Sequence, residues 1–169
     1  MPKDVIIRDE APGDAVAIRA VVEAAFGGAI EADLVDRLRA DGDAVVSLVA
    51  EADGAILGHV LFSRMSAPFR ALGLAPVAVA QGRRRSGIGG RLIRAGLDRA
   101  RAQGWQGVFV LGDPAYYRRF GFDPALAAGF ASPYAGPYLM ALALDGALPA
   151  AEGRIDYAYN SDRSDRGFG

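Results

Sequence analysis

Residues 72–103 read LGLAPVAVAQGRRRSGIGGRLIRAGLDRARAQ, and the rest of the chain is organised around this stretch. It opens as an apolar, partly β-branched run (Leu74, Val77, Val79) that breaks at Gln81-Gly82. Arg83, Arg84 and Arg85 follow, then Ser86-Gly87-Ile88-Gly89-Gly90. Beyond them the apolar residues Ile88, Leu92, Ile93, Leu97 and Ala100 fall at helical spacing. The order is strand, glycine-rich turn, helix. Such a turn leaves the first backbone N–H groups of the helix without intrahelical partners. Together with the positive end of the helix dipole they form an anion site, and phosphate is the usual anion.

Glycine at positions 87, 89 and 90 lets the backbone approach a ligand with no Cβ in the way. Arg83, Arg84, Arg85, Arg91, Arg94, Arg99 and Arg101 face only Asp98 in this window, while the whole chain has a net charge of -1. Basic charge concentrated in one place favours a small polyanion over a nucleic-acid backbone. The bland alternative is that the glycines only shape a strand–helix turn and the arginines only solvate a helix face. Two phosphate loops are excluded. Gly82 to Gly87 has the glycine spacing of a P-loop, but Ile88-Gly89 stand where Lys-[Ser/Thr] is needed. A Rossmann G-x-G-x-x-G is absent, because Gly87-Ile88-Gly89 continues as Gly90-Arg91-Leu92.

The segment Arg84-Arg85-Ser86-Gly87-Ile88-Gly89 resembles the Q/R-x-x-G-x-G/A pyrophosphate arm of the GNAT superfamily of N-acetyltransferases, which cradles acetyl-coenzyme A. Val77-Ala78-Val79 is similar to the family strand whose backbone pairs with the pantetheine arm. A second block, Val108 to Phe122 (VFVLGDPAYYRRFGF), resembles the strand and Y-x-x-x-G-F segment that follows the same helix. The resemblance spans about residues 4 to 159, and is nearest to a small bacterial subgroup carrying LGDPxYYxRFGF. Gln81 departs from it, standing where such proteins very often have proline. The resemblance implies acetyl-CoA as cosubstrate and Val77, Ala78, Val79, Arg84, Arg85, Ser86, Gly87, Ile88, Gly89 and Gly90 as its binding residues.

The bulk composition agrees with an ordinary soluble protein. The chain has 169 residues, 51% hydrophobic and 23% charged, enough for one domain with a real core. We expect that domain over residues 1–160, followed by a frayed polar tail at 161–169. No apolar run reaches membrane-spanning length and MPKDVIIRDE lacks a signal-peptide core, so a cytoplasmic protein without membrane or nucleic-acid partners is expected. The absence of cysteine excludes a disulfide framework, a thiolate zinc site and an acyl-cysteine intermediate; with one histidine, a His-rich metal site is also excluded.

Along the chain, the patterns predict a strand at Val5 to Arg8, a helix from Pro12 ending at Phe26-Gly27-Gly28, and a short helix from Glu31 to Ala40 with Leu34, Val35 and Leu38 inward. Strands Val45 to Glu51 and Ala55 to Met65 flank Asp53-Gly54, a strong hairpin signal. The central unit follows, its helix closed by Gly104. Strands at Gln106 to Leu111, Tyr138 to Leu144 and Arg154 to Tyr159, a short helix at Pro114 to Phe120, and an irregular loop over Asp123 to Pro137 complete the chain. The expected class is α/β (α+β): a GNAT-like mixed, mostly antiparallel sheet with its fourth and fifth strands splayed and helices on both faces.

Acetyl transfer from a thioester to an amine requires a polarised carbonyl, a neutral amine and a proton for the leaving thiolate. An unpaired Val79 or Ala80 amide can polarise the carbonyl, and Pro76 within that strand points to a bulge or edge. The resemblance puts Tyr117 at the family's general-acid position. A phenol is a suitable donor to a thiolate, although Tyr116 and Tyr117 also fit plain packed aromatics. No base is assigned; Glu31, Glu51, Asp113 and His59 are the candidates, and water chains can also take the proton. The acceptor is expected between Phe26 to Glu31 and the loop Asp123 to Pro137, where Phe130, Tyr134 and Tyr138 could line the site or belong to the core. The leading reading is an acetyl-CoA-dependent N-acetyltransferase acting on a small-molecule or peptide amine in a ternary complex. A homodimer is compatible with it. The rivals are a non-catalytic acyl-CoA-binding module and a nucleotide-phosphate binder.

Overall fold

The computed structural model describes residues 4–158; the tail expected at 161–169 and the end of the last predicted strand, Tyr159, lie outside them. In chain order the elements are β1 (Ile6–Asp9), a 3₁₀ turn (Pro12–Asp14), α1 (Ala15–Phe26), α2 (Ile30–Ala40), β2 (Ala44–Ala52), β3 (Ala55–Ser66), β4 (Ala71–Val79), a 3₁₀ turn (Gln81–Arg83) and α3 (Ile88–Ala102). Then come β5 (Gly107–Leu111), α4 (Pro114–Tyr117), a 3₁₀ turn (Arg118–Phe120), α5 (Pro124–Ala127), β6 (Phe130–Ala131), β7 (Leu139–Ala143), β8 (Gly153–Arg154) and β9 (Asp156–Tyr157). They form two units. The first is Met1–Phe62 with Ala75–Asp98; the second is Ser63–Leu74 with Arg99–Gly169. β3, β4 and α3 each begin in one and end in the other.

In the first unit the strands are ordered β1-β2-β3-β4. β1 pairs antiparallel with β2, with Ile6 opposite Glu51 and Asp9 opposite Leu48. Asp53 (φ 53°) and Gly54 (φ 78°) both sit in the left-handed region, the two-residue hairpin conformation that an Asp-Gly pair favours. Alternation along β3 assigns its two faces. A Cβ added to Gly58 would meet Leu92 and Ile88, and one added to Gly96 would lie 2.1 Å from the Phe62 ring, so residues 58 and 62 face α3. His59 bonds Ser47, and Leu61 lines a cavity with Val35 of α2, so residues 59 and 61 face the α2 side. α3 buries the expected stripe, with Ile88, Leu92, Ile93, Leu97 and Ala100 all at most 5% exposed. Each of the four larger side chains, Ile88, Leu92, Ile93 and Leu97, is worth roughly 1.5–3 kcal/mol of burial. Val35 and Leu38 of α2 are buried as expected, whereas Leu34 is half-buried.

The second unit has the order β3-β4-β5-β7, with β9 on β3. β4 and β5 run parallel, joining Ala71, Leu72 and Gly73 to Gly107, Val108 and Phe109; β5 and β7 are antiparallel. The core holds Met65, Phe109, Phe130, Leu139, Ile155 and Tyr157, and Phe130 stands edge-on to both Phe69 and Phe109. Gly104 (φ 83°) ends α3 as expected: its N–H donates to Arg101 O and that of Trp105 to Ala100 O, the paired bonds of a Schellman motif. Two expectations need correcting. The predicted strand Arg154 to Tyr159 is broken: β8 pairs with β6 and β9 with β3, because Ile155 turns inward with its N–H on Ala131 O. The loop Asp123 to Pro137 contains α5, whose first turn is capped by the Asp123 carboxylate accepting from Ala125 N, and β6.

Candidate active site

Of the residues singled out, Val77, Ala78, Val79, Arg84, Arg85, Ser86, Gly87, Ile88, Gly89 and Gly90 lie in the first unit and Tyr117 in the second. In the first unit, β4 ends against β3, where Ala80 N donates to Leu57 O at 2.8 Å. That removes Ala80 from the two amides considered for the carbonyl. Since N–H groups alternate between the two edges of a strand, the Val79 N–H points away from β3. Ala78 is buried while Val77 and Val79 are half-buried. Pro76 follows a cis peptide bond and is buried.

The turn after β4 is pinned by its own backbone. Arg83 N donates to Ala80 O, Ser86 N to Arg83 O, and the Ser86 hydroxyl also donates to Arg83 O. Arg85 has φ 66° and Gly87 φ 86°. A non-glycine residue held in the left-handed region is uncommon and concentrates at ligand sites. Alternating hand of this kind turns backbone amides toward one concave side. Arg91 N donates to Gly87 O, so the preceding amides are the ones α3 itself leaves without partners. A Cβ at Gly82 or Gly87 would meet nothing within 4 Å, and Gln81 to Gly87 are all exposed. Open space, aligned amides, a helix N-terminus and exposed arginines suit a phosphate-bearing ligand.

Two contacts here were not legible in the sequence. Arg84 donates through an NH2 group to Ala25 O at 3.2 Å, and Gln81 Nε2 donates to Ala24 O at 3.5 Å. Beside them, Ala17, Ala20, Val21 and Ala24 of α1 with Ile56, Ala80 and Gln81 line a groove of about 420 Å³.

In the second unit, Asp113 caps α4 by accepting from Ala115 N, and Tyr117 N donates to Asp113 O. The Tyr117 ring stands edge-on to Tyr116 at 5.0 Å and to Phe122 at 5.8 Å. A Cβ on Gly112 would lie 2.6 Å from that ring, so Gly112 provides its seat; the Leu-Gly-Asp-Pro run was the available signal. Burial pushes the Tyr117 hydroxyl up to about 12, with the neighbouring Tyr116 adding to it. Tyr116 packs under Arg119, whose guanidinium lies 4.5 Å from the ring centre.

Three of the four base candidates are otherwise engaged. Glu51 accepts from Arg8 Nε at 2.7 Å, and Asp113 is the cap. His59 is fully buried, and burial lowers its pKa to about 4 against a weaker opposing pull from Glu10. Ser47 Oγ donates to Glu10 Oε1, which leaves its lone pair for the N–H at Nε2 of His59, 2.9 Å away. A neutral imidazole so poised is a poor base at neutral pH. Burial raises the Glu10 carboxyl, but hydrogen bonds from Arg39 and Ser47 outweigh it and the pKa is lowered. Of the proposed acceptor-site aromatics, Phe130 is core at 2% exposed, Tyr134 is half-buried and packs edge-on to Tyr157 against that core, and Tyr138 is exposed. Among the described residues no three or more His, Cys, Asp or Glu side chains gather as they would around a metal ion, and no helix is long and apolar enough to cross a membrane.

Residues 16–122 match the Acetyltransferase (GNAT) family. The chain is 44% identical over 133 residues to the uncharacterized N-acetyltransferase YjhQ of Escherichia coli K12, covering 73% of each. It is 41% identical over 124 residues to the uncharacterized N-acetyltransferase YhbS of the same strain, covering 71% of this chain and 74% of that one. A crystal structure of the E. coli GNAT family N-acetyltransferase YhbS in complex with CoA matches with a TM-score of 0.88 at 34% identity, over 100% of this chain and 96% of that one. A GNAT family acetyltransferase from Brucella melitensis in complex with acetyl-CoA matches with a TM-score of 0.79 at 40% identity, over 92% and 97%. The mixed, mostly antiparallel sheet with its parallel β4/β5 pair is the fold of these neighbours, and the chain belongs to the GNAT family of acetyltransferases.

Proposed function

We propose that the protein moves an acetyl group from acetyl-CoA to a primary amine, on a small molecule or a peptide, by direct attack with both substrates bound. The observation that carries the reading is the turn into α3. There a left-handed Arg85 and Gly87 precede a helix N-terminus, in a chain whose relatives of known structure hold CoA or acetyl-CoA. Bound there, acetyl-CoA supplies an activated thioester. The amides of Gly87, Ile88, Gly89 and Gly90 hold the pyrophosphate with the α3 dipole behind them, and Arg84, Arg85 and Ser86 lend charge and a hydroxyl. The backbone of Val77, Ala78 and Val79 pairs with the pantetheine arm, and the Val79 N–H faces the carbonyl oxygen. As the new N–C bond forms and the C–S bond breaks, Tyr117 gives its proton to the sulfur and the amine loses one to solvent.

The test is thiol release from acetyl-CoA with a panel of amines, polyamines and peptides, with the acetylated product identified by mass spectrometry. Amine-dependent release with an N-acetyl product is expected. Tight CoA binding without turnover on any acceptor would make the protein an acyl-CoA-binding module instead, and stabilisation by ATP but not CoA would make it a nucleotide binder.

A further inference from the structure

The last carbonyls of a helix have no intrahelical donors and carry the negative end of its dipole. At the end of α1, Gly27 N–H takes Glu23 O at 2.8 Å. The next two carbonyls are taken from 57 and 59 residues away in the chain, by Gln81 and Arg84. The turn between β4 and α3 therefore caps α1. Arg84 itself is extended (φ -62°, ψ 143°) and the left-handed Arg85 follows it in the same turn. A guanidinium has five N–H groups in a fixed fork, and the bond to Ala25 O uses one of them. Arg84 stands between two helix ends of opposite polarity: the carbonyl end of α1 and the amide end of α3. An anion at α3 fixes the guanidinium through its remaining donors, and thereby fixes what the same guanidinium holds. What it holds leads directly into Gly27-Gly28-Ala29, the junction flanked by the exposed apolar side chains of Phe26 and Ile30.

We propose that Arg84 is a positioning residue that couples occupancy of the α3 amide turn to the order of the α1–α2 junction. The turn is a latch as well as a cradle, so a phosphate-bearing ligand tightens the segment Ala24 to Ile30. The coupling rests on the proposed acetyl-CoA reading; the cap on α1 does not.

Hydrogen exchange of the peptide Ala24 to Ile30, followed by mass spectrometry in the parent, Arg84→Gln and Arg84→Lys, with and without saturating CoA, tests both parts. Without ligand the Gln variant should exchange roughly two- to tenfold faster at this peptide, as expected for losing one exposed, charge-assisted hydrogen bond, and Lys should restore part of the protection. CoA should slow exchange further in the parent and leave the Gln variant unchanged. Equal exchange in the ligand-free parent and Gln variant overturns the latch. Equal CoA protection in both overturns the coupling. If calorimetry shows that CoA does not bind the parent, the acetyl-CoA reading and the coupling fail together, while the ligand-free comparison still decides whether Arg84 caps α1.

Discussion

Replacing Tyr117 by phenylalanine deletes one oxygen and keeps the ring that Gly112 seats and Tyr116 and Phe122 flank edge-on. Packing is therefore preserved while the only transferable proton is lost. A positioned general acid contributes roughly 10²- to 10⁴-fold, so turnover at saturating acetyl-CoA should fall by about that factor with CoA affinity unchanged. Burial sets the pH range, because the hydroxyl is pushed up to about 12 from an ordinary value near 10. The acid form thus persists across the accessible range, and no alkaline decline below about pH 11 belongs to Tyr117. The same shift enters stability. The folded state keeps its proton where the unfolded chain has lost it, so this stabilisation is complete below pH 10 and disappears as pH rises through 12. At about 1.4 kcal/mol per tenfold, the loss is roughly 2–3 kcal/mol. Thiol-release rates and urea melts from pH 8 to 11.5 for both proteins provide the assay. The phenylalanine variant should be slow at every pH and should lack the alkaline loss of stability. Equal turnover in parent and variant would refute the role of Tyr117 as acid.

Other perturbations follow from particular contacts. Gly96→Ala puts a methyl 2.1 Å from the Phe62 ring and should cost roughly 1–3 kcal/mol in a denaturant titration, with Phe62→Leu in the same chain recovering most of it. His59 has its pKa lowered to about 4 by burial; its contribution is present above pH 6.5 and is lost as pH falls toward 4. His59→Gln should therefore remove roughly 3 kcal/mol of the acid-side decline in stability, and identical acid transitions would contradict a neutral buried imidazole. Arg85→Gly relieves a left-handed φ of 66° and should raise stability by about 0.5–1 kcal/mol in thermal melts. Changing Arg84 and Arg85 together to Gln should flatten the salt dependence of acetyl-CoA binding, because exposed charges are screened over about 8 Å at physiological ionic strength.

Much of the fold could be read where the signal is local. The α3 stripe, the Gly104 cap and the Asp53-Gly54 turn each depend on residues within a few positions of one another, and each matches the structure. The Asp123 cap of α5 was equally local, but the surrounding alanines and prolines obscured it. The break at Ile155 was hidden because an amide bond to Ala131 and burial in the core, not alternation, decide that residue's direction. For the site, the glycine turn and the Tyr117 segment were legible as motifs. What they touch was not. Arg84 reaching Ala25, Ala80 already paired with Leu57, and Glu10 just after β1 joined through Ser47 of β2 to His59 of β3 all depend on chain segments far apart in sequence.

Titration calorimetry of acetyl-CoA into the parent and Gly89→Val tests whether the turn into α3 holds the pyrophosphate. Gly89 is the second residue of α3, where valine is tolerated by a helix but puts a branched side chain beside the amides proposed to hold pyrophosphate. With circular dichroism and melting temperature near those of the parent, the variant should bind at least about tenfold more weakly, a difference of about 1.4 kcal/mol. Unchanged affinity in a natively folded Gly89→Val would contradict the pyrophosphate cradle at α3, and with it the proposed route of acetyl transfer.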